Sequence, residues 1–512
     1  MKIFHGAFQS HDWDRFDAYA QRVKEFTLRR ADEHLAPWTY VQLAILRPHP
    51  LPALEILRCL SVTPSLSYLP LFISPTIKTV KLGSCASDNI HVVDSFLSFL
   101  ANNPRFQSPE LKHLVIRGRA TTACNVDFSL FSHLQSLDVA GEVDLASLKE
   151  IGTLPRLENL VVTISQSVTD LEGDIGFAKL KSLHVTASFS MIKSMIGLAD
   201  TCDMERVTLV AFCAPASQIR NIPMKTKPMK LKKGKRGKTK VRKSFTSEAS
   251  SQKTETWASC IAELSSRWSA SLMSLTLLPD ELTDSKKSIP PGLFSHLPPF
   301  SKLERLHLNN CHFKPSNEEI RDVALACPEL VELRLSVVDC ISRNEVQGEP
   351  ANPFSPCGNA SNPLQITLSP RTPTIEVQGE PANAFNPYGN ASNPPQITSS
   401  PRTTTIEALW TLAESCRHLK TLEIGLDIDY IPPFYPTAIF SHGLEKLSVG
   451  SLELRRPTRQ LLNVGRHLFR LFPSLQHLEG HIGYSADDWQ QINEIVQTFQ
   501  DVCMDETKRQ NF

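Results

Sequence analysis

The sequence predicts an α/β solenoid, a curved parallel sheet with helices and irregular segments on its convex side. Three observations carry this. The phrase Leu-x-x-Leu-x-apolar begins at Leu111 (LKHLVI), Leu134 (LQSLDV), Leu157 (LENLVV) and Leu180 (LKSLHV), each start twenty-three positions after the last. Looser versions of the phrase run from Leu54 to Leu475, and helix-spaced apolar stripes stand at both ends of the array.

A leucine phrase of this shape at this period is the signature of a leucine-rich repeat, whose unit is one short strand and a returning segment. One unit cannot bury its own apolar face. Stacked units can, because the leucines of successive turns merge into a continuous interior.

Residues 1–45 read as an amino-terminal helical cap. In DWDRFDAYAQRVKEF the residues Trp13, Phe16, Tyr19, Ala20, Val23 and Phe26 share one helical stripe, and Asp12 is placed to cap it. The solenoid is expected over 46–483. Units begin at Leu54 (LEILRC) and Ile77 (IKTVKL), and Ile90, Val93, Phe96, Leu97 and Leu100 follow helical spacing in the long step to Leu111. After the four regular units comes Met204 (MERVTL). A basic stretch within 221–253 then interrupts the pattern, which resumes with a helix over TETWASCIAELSSRW and a strand at Leu272 (LMSLTL).

Units at Leu303 (LERLHL) and Leu330 (LVELRL) lie twenty-seven positions apart, joined by a helix with Ser316 and Glu319 as capping box and Ile320, Val323 and Leu325 along it. The next unit, Leu419 (LKTLEI), stands eighty-nine positions further on. Glu345–Ile375 recurs as Glu376–Ile406 with 25 of 31 positions identical, and removing both copies brings the interval back to twenty-seven. The segment 344–406 is therefore expected as a disordered Pro/Asn/Ser-rich insertion in a return loop. Units at Leu444 (LEKLSV) and Leu475 (LQHLEG) follow. A carboxy-terminal capping helix over 484–512 carries Trp489, Ile492, Val496, Phe499 and Val502 on one face, with Ser485 at its start.

Several function classes find no residues to carry them. No amino-terminal basic-then-apolar signal and no apolar run of membrane-spanning length occurs, which predicts an intracellular protein, cytoplasmic or nuclear. The twelve cysteines contain no Cys-x-x-Cys pair, so neither a disulfide framework nor zinc is indicated; Cys327 and Cys416 each stand three residues before a repeat leucine, a packing position. His477 and His481 would be about 13 Å apart along a strand, too far to share an ion. Gly237-Lys238-Thr239 ends like a phosphate loop, but Lys232 stands where its first glycine belongs. Neither enzyme chemistry nor a metal or cofactor is expected.

Strand alternation turns the residues between the core positions away from the interior, and parallel stacking lines them up as columns across the concave side, where a protein partner would bind. His113 and Arg117, Asp138, Asn159, His184 and Arg206 come from the regular half. Arg305, His307 and Asn309, Glu332 and Arg334, and Glu423 come from the later units.

The stretch Met224–Lys243 holds eleven Lys or Arg and no acid, leaving 43 basic against 53 acidic residues elsewhere. Such density predicts a disordered loop. Its core, Lys230, Lys232, Lys233, Lys235, Arg236, Lys238, Lys240, Arg242 and Lys243, fits a nuclear-import signal; contact with nucleic-acid phosphates, disfavoured by the lack of aromatics, and a plain solvated loop are the other readings. Ser369 and Ser400, each before Pro-Arg, are candidate phosphorylation sites.

With DWDRFDAYAQRV leading into irregular leucine repeats and a closing tryptophan helix, the chain resembles the F-box and leucine-rich-repeat proteins of mushroom-forming fungi. The resemblance covers nearly all of it outside the two insertions. It implies that the repeats hold the substrate of a cullin-RING ubiquitin ligase, while an F-box helix bundle docks on the ligase adaptor subunit. Its first residues read like the segment that follows the F-box in that family, so adaptor docking is the family property least expected of this chain. A freestanding repeat scaffold, nuclear in location and with no ubiquitin link, is the alternative.

Overall fold

The leucine phrase folds as a strand because its apolar positions alternate at period two over four to eight residues. In the strand His113–Gly118, Leu114 and Ile116 are fully buried while His113, Val115 and Arg117 turn to the other face. The computed structural model describes residues 10–29, 37–63, 66–85, 89–102, 110–118, 127–165, 168, 176–199, 203–212, 257–279, 293–294, 297, 300–308, 315–335, 404–428, 431, 440–450, 458–480 and 486–510. The chain divides into two units, Met1–Val338 with Arg402–Phe512 and Asp339–Pro401. Every element described below belongs to the first.

Among the described residues fourteen strands form one parallel sheet in strict sequence order, a solenoid-like arrangement. They are β1 (Glu25–Leu28), β2 (Ile56–Cys59), β3 (Thr79–Cys85), β4 (His113–Gly118), β5 (Ser136–Val143), β6 (Asn159–Ile164) and β7 (Ser182–Ala187). The second seven are β8 (Arg206–Ala211), β9 (Ser274–Pro279), β10 (Arg305–Leu308), β11 (Glu332–Leu335), β12 (Thr421–Gly425), β13 (Lys446–Gly450) and β14 (His477–Gly480). The register aligns the repeat leucines: Leu114, Leu137, Leu160 and Leu183 are direct partners along β4 to β7, as are Leu306, Leu333 and Leu422 along β10 to β12. All seven side chains are at most 1% exposed. Burying each contributes about 1.5 to 3 kcal/mol, so the sheet's inner face is the main stabilising surface.

Two backbone devices repeat with the phrase. The N–H of its first leucine closes a turn on the carbonyl three residues earlier, as in Leu134 to Phe131 (2.9 Å), Leu330 to Cys327 (3.3 Å) and Leu475 to Phe472 (3.1 Å). The carbonyl of the next residue then accepts two amides from the following unit. Lys24 O takes Glu55 and Ile56 (2.8 and 3.0 Å), Glu205 O takes Met273 and Ser274, and Val331 O takes Lys420 and Thr421 (2.8 and 3.1 Å). Both long insertions are thus bridged by ordinary links of this ladder.

On the other side of the core lie the return helices: α1 (Ser10–Ala20), α2 (Pro37–Leu46), α3 (Ile90–Asn102), α4 (Leu145–Gly152), α5 (Phe189–Leu198), α6 (Trp257–Trp268), α7 (Asn317–Ala326), α8 (Ile406–Ser415), α9 (Thr458–Leu471) and α10 (Ala486–Gln510). Short 3-10 turns stand at Leu69–Phe72 and Phe128–Leu130. The stripes place α3 and α6 as expected, with Val93, Phe96, Leu97 and Leu100, and Trp257, Leu264 and Trp268, buried. The capping box of α7 is formed: Glu319 N–H donates to Ser316 Oγ at 3.2 Å and Ser316 N–H to Glu319 Oε2 at 2.9 Å.

Five expectations are corrected, four of them before α10. The first helix begins at Ser10, so Asp12 lies inside it, and it ends at Ala20 with Tyr19 exposed. Val23 and Phe26 are instead the first and second apolar positions of an earlier unit, Val-Lys-Glu-Phe-Thr-Leu, whose strand β1 lies inside the segment 1–45 assigned wholly to a helical cap. Valine and phenylalanine replace the leucines there, which hid the phrase. Leu325 is 63% exposed, and Ala324 and Cys327 take the core places beside Val323. Finally, Thr404–Ile406 are integral to the fold: Thr405 N-caps α8, Ile406 is fully buried and Thr404 Oγ1 donates to Pro315 O. The rest of 344–406, all of 221–253 and Ser485 lie outside the described residues.

At the ends, Arg47 ties α2 to α1 through two contacts of 2.8 Å to the Asp17 carboxylate, its guanidinium 4.9 Å from the Trp13 ring centroid. The long helix α10 buries Trp489, Ile492 and Val496. A Cβ at Gly480 would stand 2.7 Å from the Trp489 indole, so the absence of a side chain lets α10 close on β14. Gln497 and Gln500 donate to Leu475 O, and Gln500 also to Pro473 O. Val502, placed with the buried face by its spacing, is 52% exposed beyond these contacts.

Candidate functional site

The face of the sheet turned away from the helices, the outer face, is built by the positions between the core leucines. Pairing in register produces two main columns. One runs Thr79, His113, Ser136, Asn159, Ser182, Arg206, Ser274, Arg305, Glu332, Thr421, Lys446 and His477. The other runs Arg58, Lys81, Val115, Asp138, Val161, His184, Thr208, Thr276, His307, Arg334, Glu423, Ser448 and Glu479. Of the candidate residues, His113, Asn159, Arg206, Arg305 and Glu332 fall in the first column, and Asp138, His184, His307, Arg334 and Glu423 in the second. Arg117 extends from β4 above Asp138. Asn309 lies outside the described residues, as do His481, the basic run from Lys230 to Lys243, Ser369 and Ser400.

Charge is unevenly spread over this face. On β1 to β5 the acids are engaged: Arg58 Nε stands 3.1 Å from Glu25, Arg117 2.9 Å from Asp138, and Glu55 receives both Lys78 (2.9 Å) and Lys24 (3.4 Å). These pairs hold the Glu55 carboxyl below its ordinary range, the Lys78 hydrogen bond first. Being solvent-exposed, they contribute little stability. The middle of the face, β6 to β9, carries small or uncharged side chains, Asn159, Val161, Ser182, His184, Thr208, Ser274 and Thr276, and one cation, Arg206, which reaches back to Asn159 Oδ1 at 3.4 Å. On β10 and β11, Glu332 pairs with Arg334 and stands 3.4 Å from His307 Nε2, though without hydrogen-bond alignment. At the far end Lys446 pairs with Glu479 at 3.0 Å.

Three histidines on this face share one electrostatic character. Burial lowers the pKa of His113, His184 and His307, opposed at His184 by Asp138 and at His307 by Glu332. At neutral pH they are therefore uncharged imidazoles that offer one donor and one acceptor each.

The core thiols are of another kind. Cys327 and Cys416 are buried, and burial pushes both up to about 12, which leaves them as unreactive packing groups. Among the described residues no group of three or more His, Cys, Asp or Glu is placed to hold a metal ion, and no helix is long and apolar enough to cross a membrane. An open groove of about 660 Å³ lies between the end of α10 and the turn before β14, lined by Phe469, Pro473, Gln476, Cys503 and Met504 among others.

Sequence reasoning identifies the columns but not their electrical pairing. It passes over Arg58 and Lys81 because their units lack one or more leucines. The signal that could have found them is a basic residue between the two core positions of each of two successive units, LEILRC and IKTVKL. No protein-family model matches the chain, and no curated protein matches its sequence.

Proposed function

We propose that the chain is a leucine-rich-repeat protein-binding module whose outer sheet face is the partner surface, with α1 and α10 as the covers of its two ends. One observation carries this reading: the outer positions stay in register over the fourteen described strands and are filled mostly by polar and charged side chains, Val115 and Val161 being the apolar exceptions in the two columns, while the positions beside them are apolar and buried. Such a face is rigid, because each side chain stands on a hydrogen-bonded strand, so a partner binds it with little ordering cost. The partner class is a ubiquitin-ligase substrate, following the resemblance to F-box and leucine-rich-repeat proteins, and the site of action is cytoplasmic or nuclear. The chain itself carries out no catalysis.

The test is an affinity purification of the intact chain beside an Arg305→Ala/His307→Ala/Arg334→Ala variant. A partner held by the outer face is lost from the variant and kept by a control altered at the exposed helix position Leu325. Equal recovery of every partner by both would end the proposal. A direct binding assay with the ligase adaptor subunit divides the remaining readings: robust binding supports a ligase subunit, and none supports the freestanding scaffold.

A further inference from the structure

At one end of the outer face two lysines stand outside the ion pairs, and the exposed acids nearby, Glu110 and Glu142, pair with neither. Around β2 to β4 stand Arg58, Lys78, Lys81, Lys112 and Arg117, and the pairs described above assign Glu25, Glu55 and Asp138 to Arg58, Lys78 and Arg117. That leaves Lys81 and Lys112 with no acidic partner among the described residues. Lys81 is exposed and stands in register beside Val115; Lys112 is half-buried, one residue before the exposed His113. His113 lies between them, with only the hydroxyl-bearing Thr79 and Ser136 as its strand neighbours. From the strand geometry the backbone positions of Lys81 and Lys112 are about 11 Å apart, from a 3.3 Å rise along the strand and a 4.8 Å step across it.

A second cationic group, Arg305 and Arg334, stands among two acids, since Glu423 is the direct strand partner of Arg334. Glu332 is the direct strand partner of Arg305 and pairs with Arg334. Arg206 stands alone with Asn159, so the two adjacent unpaired lysines at β3 and β4 are a local concentration of positive charge.

Resting on the reading of the outer face as a partner surface, we propose that its β3–β4 end is the seat of an acidic protein segment, held in extended form with one carboxylate on Lys81, another on Lys112, and His113 between them. Carboxylates on alternate residues of an extended segment are about 6.8 Å apart and lie on one side, a spacing that two flexible lysine stems bridge. The positive surroundings register at His113 itself: after burial, Lys112 and Lys81 are what depress its pKa. A bound carboxylate offsets that repulsion.

The experiment measures binding of a fluorescein-labelled peptide of alternating Glu and Ser to the full chain by anisotropy at low ionic strength, with the Gln-for-Glu peptide and a single-stranded RNA as competitors. Since Lys230 to Lys243 would also attract acid, every arm is run both on the natural chain and on one whose Lys and Arg from Lys230 to Lys243 are changed to Gln. On both, Lys81→Glu/Lys112→Glu should weaken binding about tenfold or more, while Arg305→Glu leaves it within about twofold. The milder Lys81→Gln/Lys112→Gln variant, with a matching thermal melt, guards against a folding effect. Unchanged affinity in both lysine variants, equal binding of the Gln peptide, or tighter binding of the RNA would overturn the assignment. If capture of a partner through Arg305, His307 and Arg334 survives those results, the outer-face reading stands and this seat alone is refuted.

Discussion

The units from β4 to β6 and those from β10 to β12 place the same strands on the same core by different means. In the first group the phrase returns at the short interval that separates Leu111, Leu134 and Leu157, and the return is a 3-10 turn at Phe128–Leu130 or the eight-residue α4. In the second the interval is the longer one from Leu303 to Leu330, or from Leu330 to Leu419 with the duplicated segment, and the return is a ten-residue helix, α7 or α8. The turn position before the repeat leucine changes to match. It is Phe131, Leu154 and Phe177 in the short units and Cys327 and Cys416 in the long ones, all buried. Within these two groups a large turn residue accompanies the short return and a small one the longer helix, while elsewhere Ser74 and Phe300 reverse the association. At the end of the array Phe472 follows the long α9, and there its ring meets the imidazole of His442 at 5.2 Å. The comparison teaches that the strand phrase fixes the stacking, while each return segment is a local solution to filling the same interior.

If the strands carry the stacking in both regions, Leu137→Ala and Leu333→Ala should cost alike, about 2 to 5 kcal/mol each by chemical denaturation. A clear inequality would mean that the longer helices share the burden. If the turn position is tuned to its return segment, Cys416→Phe should overpack the long unit and cost about 1 to 3 kcal/mol in the same measurement. Insertion of the ring without loss would break the volume argument.

The duplicated segment sharpens the comparison further. Deleting Glu345–Ile375 leaves Thr404 at its seat, whereas deleting Glu376–Ile406 puts Pro373 there and withdraws the hydroxyl from Pro315 O. The second chain should be less stable by about 1 to 3 kcal/mol, the cost of a buried carbonyl without its donor. The first should unfold close to the natural chain, because losing about a third of the connection from Leu330 to Leu419 changes loop closure by only about 0.4 kcal/mol.

The smallest effect concerns pH. In the unit of Leu444 the turn carbonyl is replaced by His442, whose Nδ1 accepts from Leu444 N–H at 3.1 Å while Nε2–H donates to Cys416 O at 2.8 Å. The Nδ1 bond needs the neutral ring, whereas the Nε2–H bond survives protonation. Burial, only partly countered by the Cys416 bond, lowers its pKa from 6.5. The unfolded chain therefore binds the proton first, and stability should fall as pH drops below 6.5 until the folded pKa is passed. The matching melt of His442→Gln should lose part of that slope; an identical slope would place the titration elsewhere.

Most of the strands are legible because a period-two leucine phrase has few alternative readings. Twelve of the fourteen units keep a recognisable phrase from Leu54 or Ile77 onward, or its close variant, and one more is the Met204 unit. The first escapes because Val23 and Phe26 fit a helix stripe as well as they fit a strand, and only the pairing of β1 with β2 decides between them. Leu325 misleads for a related reason, since spacing alone does not say which of two neighbouring apolar residues faces inward. Of the candidate site, the columns follow from alternation, but the pairing of Arg58 with Glu25 and of Arg117 with Asp138 depends on which strands are neighbours and how far each side chain reaches.

The carbonyl ladder has a consequence for how such a chain changes over time. Every junction between units is made by two amides meeting one oxygen, and none of the three atoms is affected by how much chain lies between them, as Val331 O shows across the interval that holds the duplicated segment. A duplication landing inside a return is nearly silent, whereas a single residue gained or lost inside the phrase exchanges inner and outer side chains for that whole strand. Lineages carrying this architecture should therefore diverge by abrupt lengthening of their returns far more readily than by small shifts within their strands.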